Sequence, residues 1–419
     1  MNRRRLLQTA MGAVAFPYIA RPAVRGANDR LQIGFIGVGG RAKWLMKNEL
    51  FAGADITAVA DCWQQRLDEA VTLRPEGSKW AKFDDYRQML DSSKLDAVFV
   101  ETPTHSRALI CIQAMQAGLD VYAEKPVSLT IEEGQVLVRA ARRYKRVVQA
   151  GTQQRSMPIN MYASKLVREG KIGKVKEVIV CNFLAPITWK ELPGEAMPAG
   201  LNWEQWVNQT EMRPYHSKMH RGWMPWRDYD GGGQSWGVSG WGTHSLDQVQ
   251  TALGADLTGP VEIILEPKKP GTAMPDVPVT LRYASGTLVK LEQEKINDHQ
   301  QLGGIFAGSG GKLQIIRGDF LPEDPALKKD APPVLPEGPG ENAAHIADFF
   351  ECVRSRRRPN ADVEIAHRST SVCQLINIAR ELNRSLKWDP KAERFPNDAE
   401  ANVLRARTRR KGFELPKIG

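Results

Sequence analysis

One segment near the start of the chain constrains the fold more than any other. The apolar run Leu31–Ile36 leads directly into a G-x-G-x-x-A loop at residues 37–42, after which a helical pattern begins. The tight turn requires Gly37, and the close approach of backbone to a phosphate requires Gly39. The small side chain of Ala42 allows the helix to pack on the strand. The segment therefore predicts a strand, a phosphate-binding loop and a helix that open a dinucleotide-binding domain.

Short apolar runs continue as far as residue 150, separated by helical patterns. They lie at residues 31–36, 56–60, 96–100, 120–123 and 147–150. The clearest helical pattern spans residues 105–116 and ends before Gly118. Nearly continuous apolar strands are typical of a parallel sheet buried on both faces, so we predict a doubly wound α/β domain over residues 30–150.

The pattern changes in the second half of the chain. Strands are predicted at residues 174–184, 261–265, 279–284, 287–293, 303–307 and 312–317, and helices at 157–169, 243–253, 343–355 and 365–386. Ser285-Gly286 is a two-residue hairpin turn, which joins antiparallel strands. We therefore predict an α+β domain with an open, mostly antiparallel sheet over residues 151–390, then a basic tail at 391–419. Residues 185–229 are rich in Pro, Trp and Gly. We predict that they form a long loop with a functional role, and we call this segment the excursion.

The charge of the chain is concentrated at its two ends. The formal net charge is +10, and residues 1–30 and 405–419 each carry six basic residues against one acidic residue. The intervening residues are therefore formally neutral, which argues against a nucleic-acid-binding face. The five cysteines are widely spaced and include no C-x-x-C pair, so neither a metal site nor a disulfide framework is predicted.

Residues 1–29 have the pattern of an export leader. Three arginines at positions 3–5 precede two leucines, and an apolar stretch follows at residues 9–20. This arrangement resembles a twin-arginine signal. The stretch is shorter than the roughly 20 residues that a membrane span needs, and it contains Pro17. We expect an exported, periplasmic protein without a stable membrane span; the alternative is a disordered basic N-terminus of a cytoplasmic protein.

Polar residues follow the predicted strands at the edge where α/β proteins bind ligands. Asp61 ends the second strand, where a carboxylate accepts hydrogen bonds from ribose hydroxyls and repels a 2′-phosphate, so NAD is favoured over NADP. Arg66 is the nearby residue able to alter that preference. The segments T-P-T-H at residues 102–105 and E-K-P at 124–126 follow later strands. A lysine held beside a cofactor can orient a hydroxyl and take part in proton transfer.

Together these segments resemble the Gfo/Idh/MocA family, named for glucose–fructose oxidoreductase and inositol dehydrogenase. The matching residues are Asp61 and the segments 37–41, 102–105, 124–126, 151–155, 201–206, 240–247 and 303–318. The resemblance implies a Rossmann domain followed by an α+β domain whose open sheet commonly forms oligomer contacts. It also implies hydride chemistry with NAD(P) on a sugar or cyclitol carbon.

The family pattern assigns roles to individual residues here. Lys125 matches the catalytic lysine and His244 the catalytic histidine, but Gly240 stands where the family often has an aspartate. Expected cofactor contacts are Gly37, Gly39, Gly40, Arg41, Asp61, Thr102, Pro103, His105, Glu124, Lys125 and Gln153, and expected substrate contacts are Arg155, Tyr215, His244 and Asp247. Seven of the eleven tryptophans fall within residues 189–241, where they either stack on sugar rings or pack the excursion.

Three hypotheses follow from this pattern. The first is an NAD-dependent enzyme, a homo-oligomer, that oxidises or reduces a sugar while holding its cofactor tightly, because no free NAD pool exists outside the cytoplasm. The second is a redox-neutral epimerase, lyase or glycoside hydrolase that oxidises its sugar transiently, and Gly240 favours it. The third is a non-catalytic sugar-binding protein of the same fold.

Overall fold

Two β-sheets organise the chain. The computed structural model describes residues 30–48, 51–267, 277–293, 302–334, 338 and 340–418. The predicted leader at residues 1–29 lies outside the described residues. Within the described ranges, no helix combines the length and the apolar character that a bilayer crossing needs.

The first sheet is parallel throughout, with six strands in the order β3-β2-β1-β4-β5-β6. Its strands are β1 Leu31–Ile36, β2 Ala54–Ala60, β3 Ala81–Phe83, β4 Ala97–Val100, β5 Asp120–Ala123 and β6 Val148–Ala150. The helices between them are α1 Gly40–Lys47, α2 Gln64–Ala70, α3 Tyr86–Ser92, α4 Thr104–Gln116 and α5 Ile131–Tyr144. This confirms the predicted doubly wound α/β fold. The edge strand β3 was not predicted, because its three partly or fully exposed residues carry no apolar run.

The buried residues of both sheet faces explain why this half folds around the strands. On one face Phe35 and Phe99 stack with ring centroids 4.9 Å apart. Phe349 and Phe350, from a helix near the end of the chain, meet Phe99 at 5.7 and 6.2 Å. That helix, Gly340–Ser355, thus covers the first sheet although most strands of the second sheet precede it in the sequence.

The second sheet has eight strands in the order β13-β12-β11-β7-β10-β9-β8-β14, and only β7 and β10 pair in parallel. Its strands are β7 Val175–Cys181, β8 Glu262–Leu265, β9 Val279–Arg282, β10 Leu288–Gln293, β11 Gly304–Gly308, β12 Gly311–Ile316, β13 Asp319–Pro322 and β14 Leu386–Lys387. Its helices, and those beside it, are α6 Pro158–Arg168, α7 Trp203–Val207, α8 Ser217–His220, α9 Trp241–Ala252, α10 Gly340–Ser355, α11 Val363–Leu382 and α12 Ala399–Val403. The mostly antiparallel sheet confirms the predicted α+β half.

The hydrophobic core of the second half lies between one face of this sheet and its helices. Val178, Leu281 and Phe306 of the sheet pack with Leu246 of α9 and Leu375 of α11, all fully or almost fully buried. The helix α9 is therefore fixed against the sheet, with its first residues at the edge of the first domain.

The basic segment at the end of the chain is packed on both halves. Arg409 pairs with Glu133 of α5 at 2.5 Å, and both side chains are buried. Arg410 pairs with Glu204 of α7 at 3.2 Å. Two arginines of this segment are therefore paired with acidic residues of the protein.

Candidate active site

The glycine-rich loop forms a shallow cradle between β1 and α1. Gly37 has a φ of 82°, and a Cβ there would lie 2.9 Å from the backbone nitrogen of Thr102. A Cβ on Gly40 would meet no atom within 4 Å, so open space lies beside the first turn of α1. That turn contains no acidic residue. Its amide groups and the helix dipole therefore fit a phosphate group, as the sequence predicted.

Asp61 lies at the far end of this cleft, after β2. Its Oδ2 accepts a hydrogen bond from the Val38 amide at 2.8 Å, and its Oδ1 accepts one from the Trp63 amide at 3.0 Å. Arg66 approaches from α2, with Nη1 3.2 Å from the position that a Cβ of Gly39 would take. A carboxylate and a guanidinium thus stand together where the adenosine end of a dinucleotide is expected.

A segment of the excursion, residues 200–223, lies across the cleft; we call it the strap. Its backbone is bonded to the end of β2: the Gln64 amide donates to Gly200 O at 3.0 Å, and the Asn202 amide donates to Cys62 O at 2.7 Å. Trp206 and Trp223 line the same cleft as the glycine-rich loop. The strap therefore covers the region in which the dinucleotide is predicted to bind.

His105, predicted to contact the cofactor, holds the strap instead. Burial lowers the pKa of His105 to about 4, so the ring is neutral. Its Nε2–H donates to Trp206 O at 2.7 Å. Tyr215, predicted to contact substrate, also belongs to the strap and packs against Trp203 with ring centroids 5.2 Å apart. Many of the tryptophans pack on one another, as in the parallel pair of Trp203 and Trp206, which supports the structural interpretation of this cluster.

Lys125 and His244 come together across the two halves of the protein. Lys125 follows β5, and its Nζ donates to Gly240 O at 3.2 Å, directly before α9. His244 lies in the second turn of α9 and is 6% exposed; its Nδ1 has no hydrogen-bond partner among the described residues. Burial lowers the pKa of both side chains, and for His244 the charge of Lys125 adds to the effect. His244 is therefore a neutral imidazole beside the lysine.

A cluster of three charged side chains lies behind the glycine-rich loop. Arg41 pairs with Glu124 at 2.8 Å and donates to Asn342 at 2.9 Å. Burial acts to raise the pKa of Glu124, but Arg41 and Lys125 outweigh it and the pKa lies below its usual value. Glu124 is thus ionised, and Arg41, although it lines the cleft, is partly occupied by this pair.

Glu101 completes this cluster and was missed at the sequence level. It lies directly after β4 and lines the cleft, yet its two carboxylate oxygens accept no hydrogen bond from any residue that the structure describes. Burial, together with the charge of Glu124, raises the pKa of Glu101 to about 8. Its position could have identified it, because Glu101 comes immediately before the T-P-T-H segment. A charged side chain there lies at the edge of the sheet where ligands bind.

Arg155 and Asp247, both predicted to contact substrate, bind each other. Arg155 Nε lies 2.8 and 2.9 Å from the two Asp247 oxygens, and the side chains are 3% and 1% exposed. Ser369 donates to Asp247 at 2.6 Å, and Asp256 pairs with Arg155 at 2.9 Å. Every charge in this group therefore has a partner. The group joins the short 3-10 helix Gln153–Ser156 to α9 and α11.

The remaining predicted contacts line the cleft or support it. Thr102 and Pro103 line the cleft beside the glycine-rich loop. Gln153, with its amide oriented to satisfy both neighbours, donates to Gly151 O at 2.7 Å and accepts from Arg317. Within the described part of the chain, no group of three or more His, Cys, Asp or Glu side chains has the arrangement of a metal site.

Two family models together match almost all of the described chain. Residues 31–152 match the NAD-binding Rossmann fold of the Gfo/Idh/MocA oxidoreductase family, and residues 161–415 match the family's C-terminal alpha/beta domain. The chain belongs to the Gfo/Idh/MocA family. The first domain is therefore an NAD-binding Rossmann domain.

The chain is similar over part of its length to proteins named glycosyl hydrolase family 109. It is 29% identical over 170 residues to one from Shewanella pealeana, covering 34% of this chain and 37% of that protein. It is 33% identical over 124 residues to one from Shewanella baltica strain OS155, covering 27% of each. The alignments thus span about a third or less of these relatives.

Solved structures of the same family share the fold over most of the chain. Myo-inositol 2-dehydrogenase from Lactobacillus plantarum has a TM-score of 0.60 at 19% identity and covers 86% of this chain and 99% of its own. Aldose-aldose oxidoreductase from Caulobacter crescentus, complexed with glycerol, has a TM-score of 0.56 at 17% identity and covers 85% and 99%. At these identities the likeness establishes the fold alone.

Proposed function

We propose that this protein is an NAD-dependent oxidoreductase that acts on a sugar or sugar derivative and holds its dinucleotide tightly. The observation that carries the proposal is the place of Lys125 at the carboxyl edge of the first sheet: its Nζ donates to Gly240 O, four residues before His244, and its charge acts on the His244 imidazole. A neutral imidazole beside a lysine suits removal of a proton from a hydroxyl that the lysine binds.

The residues of the chain divide into two groups in this reaction. The glycine-rich loop, residues 37–42, and Asp61 hold the dinucleotide, which supplies hydride acceptance or donation when bound. Asp61 favours NAD, since a carboxylate at the ribose repels a 2′-phosphate. The Lys125 ammonium binds and polarises the substrate hydroxyl oxygen, and neutral His244 is able to accept its proton at an imidazole nitrogen.

Tight retention of the cofactor is supported by the strap. Its backbone is hydrogen-bonded to the backbone after β2, and His105 donates a hydrogen bond to Trp206 O. Its Trp206 and Trp223 side chains line the cleft. A dinucleotide beneath it leaves only when these contacts open. A carried cofactor suits a protein that works where no free NAD is present, which is the setting that the arginine-rich leader indicates.

A redox-neutral reaction is the second candidate. Similarity to proteins named glycosyl hydrolase family 109 favours it, and so does the glycine at position 240, where the family often has an aspartate. In such a reaction the sugar is oxidised and reduced again within one cycle. The same lysine, histidine and bound dinucleotide serve this chemistry.

Product analysis separates these functions. The purified protein is incubated with a panel of aldoses, cyclitols and aryl glycosides, and the products are identified by mass spectrometry. A product that differs from its substrate by two hydrogen atoms indicates net oxidation or reduction, whereas an isomer or a released aglycone indicates the redox-neutral reaction. If nothing is converted and Lys125→Met binds sugars as the wild type does, the chain is a non-catalytic sugar-binding protein.

Export is proposed from the leader alone. Replacing Arg4 and Arg5 by lysine should retain the protein in the cytoplasm if the leader is a twin-arginine signal. Fractionation of cells followed by immunoblotting checks this. An unchanged periplasmic fraction would argue against that export route, and a protein that is cytoplasmic in both cases would support the basic N-terminus instead.

A homo-oligomer is proposed from the open sheet. One face of the eight-stranded sheet packs on α9 and α11, while its opposite face carries exposed residues such as Leu321, which is 45% exposed. Light scattering coupled to gel filtration measures the subunit number. A monomer at micromolar concentration would contradict this expectation.

A further inference from the structure

Gly240 is not simply a position where a side chain has been lost. A Cβ on Gly240 would lie 2.0 Å from Gln234 O and 2.7 Å from Gly233 O. The backbone of the loop at residues 230–240 therefore fills the space that an aspartate at position 240 would need. No residue with a side chain fits there unless the loop moves.

The same loop carries a buried carboxylate, that of Asp230. The side chain is 3% exposed and accepts a hydrogen bond from the Thr104 hydroxyl. Its Oδ2 lies only 1.0 Å from where a Cβ of Gly233 would be, so it occupies the space that this glycine leaves open. The loop thus excludes one carboxylate, at position 240, and holds another one nearby.

Two chains of contacts connect Asp230 to Lys125. On one side, Asp230 touches Gly233, Gly233 O approaches Gly240, and Gly240 O accepts the hydrogen bond from Lys125 Nζ. On the other side, Thr104 accepts a hydrogen bond from Arg107 Nη1 at 3.1 Å, and the same guanidinium binds the carbonyl oxygen of Pro126, the residue after Lys125.

We propose that Asp230 supplies the negative charge that the family pattern places at position 240, and that it acts as a positioning residue for Lys125. The proposal rests on the proposed function, in which Lys125 binds the reacting hydroxyl. Asp230 and Lys125 form no ion pair among the described residues, so Asp230 acts through the electric field in a water-poor interior. Its charge stabilises the ammonium form of Lys125 and therefore the form that binds a hydroxyl oxygen.

Other charges surround the pair and define its pH dependence. Burial lowers the pKa of Lys125, Glu124 and Asp230 raise it, and Arg107 and Arg41 lower it. Burial raises the pKa of Asp230 to about 7, against the effects of Thr104, Arg107 and Lys125. Asp230 is accordingly ionised above that pH.

The test measures the titration of Lys125 without any sugar. The full-length protein, as purified, is labelled with traces of acetic anhydride between pH 6 and 11, and the peptide that contains Lys125 is quantified by mass spectrometry. Asp230→Asn should shift the labelling midpoint of Lys125 downward by roughly one pH unit. Asp228→Asn is the matched control, because Asp228 pairs with Arg213 at 3.0 Å, and it should leave the midpoint unchanged.

A midpoint that is the same in wild type and in folded Asp230→Asn would overturn the proposal. Gly240→Asp provides a second measurement that does not depend on the folding of Asp230→Asn. We expect it to melt well below the wild type, because its side chain collides with Gln234 O; a wild-type melting temperature would overturn the proposal as well. Neither readout involves turnover, so a failed search for a carbohydrate substrate would leave both results interpretable.

Discussion

Replacing Asp247 by asparagine tests whether this residue contacts substrate, as the family resemblance implies, or stabilises the fold, as its contacts indicate. The substitution keeps the shape of the side chain and removes its charge. Arg155 would then lose the partner that lies 2.8 and 2.9 Å from its Nε, while remaining 3% exposed. Breaking a buried ion pair in this way costs about 3–5 kcal/mol.

The second partner of Arg155 determines how much stability Asp247→Asn loses within the range of about 3–5 kcal/mol. Asp256 stays 2.9 Å from Nη2, but it is 37% exposed and compensates the charge only in part. We therefore expect a loss of about 3 kcal/mol in the free energy of unfolding. For a domain of this size that corresponds to a fall of about 6–12 °C in melting temperature.

Differential scanning calorimetry and urea unfolding measure this loss. Asp256→Asn is the control, since it removes a half-exposed partner of the same arginine and should cost less than about 1 kcal/mol. If Asp247→Asn melts like the wild type but loses carbohydrate turnover, the stabilising role is refuted and the substrate contact is restored.

Further substitutions test the roles of Lys125, the strap and Glu101. Lys125→Met should abolish turnover while leaving the amount of bound nucleotide unchanged; loss of the nucleotide would instead make Lys125 a binding residue. Trp206→Ala should open the strap and speed the release of nucleotide, which can be monitored through the fluorescence of the reduced nucleotide. An unchanged release rate would show that the strap does not retain the nucleotide. Burial raises the pKa of Glu101 from 4.5 to about 8, so between these pH values the folded protein keeps a proton that the unfolded chain releases. The contribution of Glu101 to the stability of the fold therefore declines as pH rises from 4.5 to about 8. Glu101→Gln, which does not titrate, should therefore gain stability relative to the wild type by at most about 1.4 kcal/mol per pH unit between those values, and a difference in melting temperature that stays constant from pH 5 to pH 9 would contradict this.

The fold could be predicted wherever its physical cause is local in sequence. Buried parallel strands such as β4 and β5 are nearly continuous apolar runs. The hairpin between β9 and β10 turns at Gly286, which has a φ of 87°. Its loop has three residues and not the predicted two, because the Tyr283 amide donates to Thr287 O at 3.0 Å and residues 284–286 lie between them. By contrast, β3 pairs at an exposed edge and β14 has two residues, so neither leaves an apolar pattern.

The site could be predicted only in part, because its charges are assigned by distant partners. Lys125 and His244 were found through motifs, but nothing near Arg155 in the sequence shows that Asp247 neutralises it. Likewise, Asp230 is 126 residues from the Thr104 hydroxyl that it binds. Such pairings depend on how the two sheets pack together, and no single segment of the sequence determines that packing.

The central claim is that the protein carries its dinucleotide beneath the strap. The most direct measurement is to purify the protein without added nucleotide, pass it through gel filtration, denature it and identify what it releases by mass spectrometry. We expect close to one NAD(H) per chain. A chain that releases no nucleotide, and that must be given NAD to bind any, would contradict it.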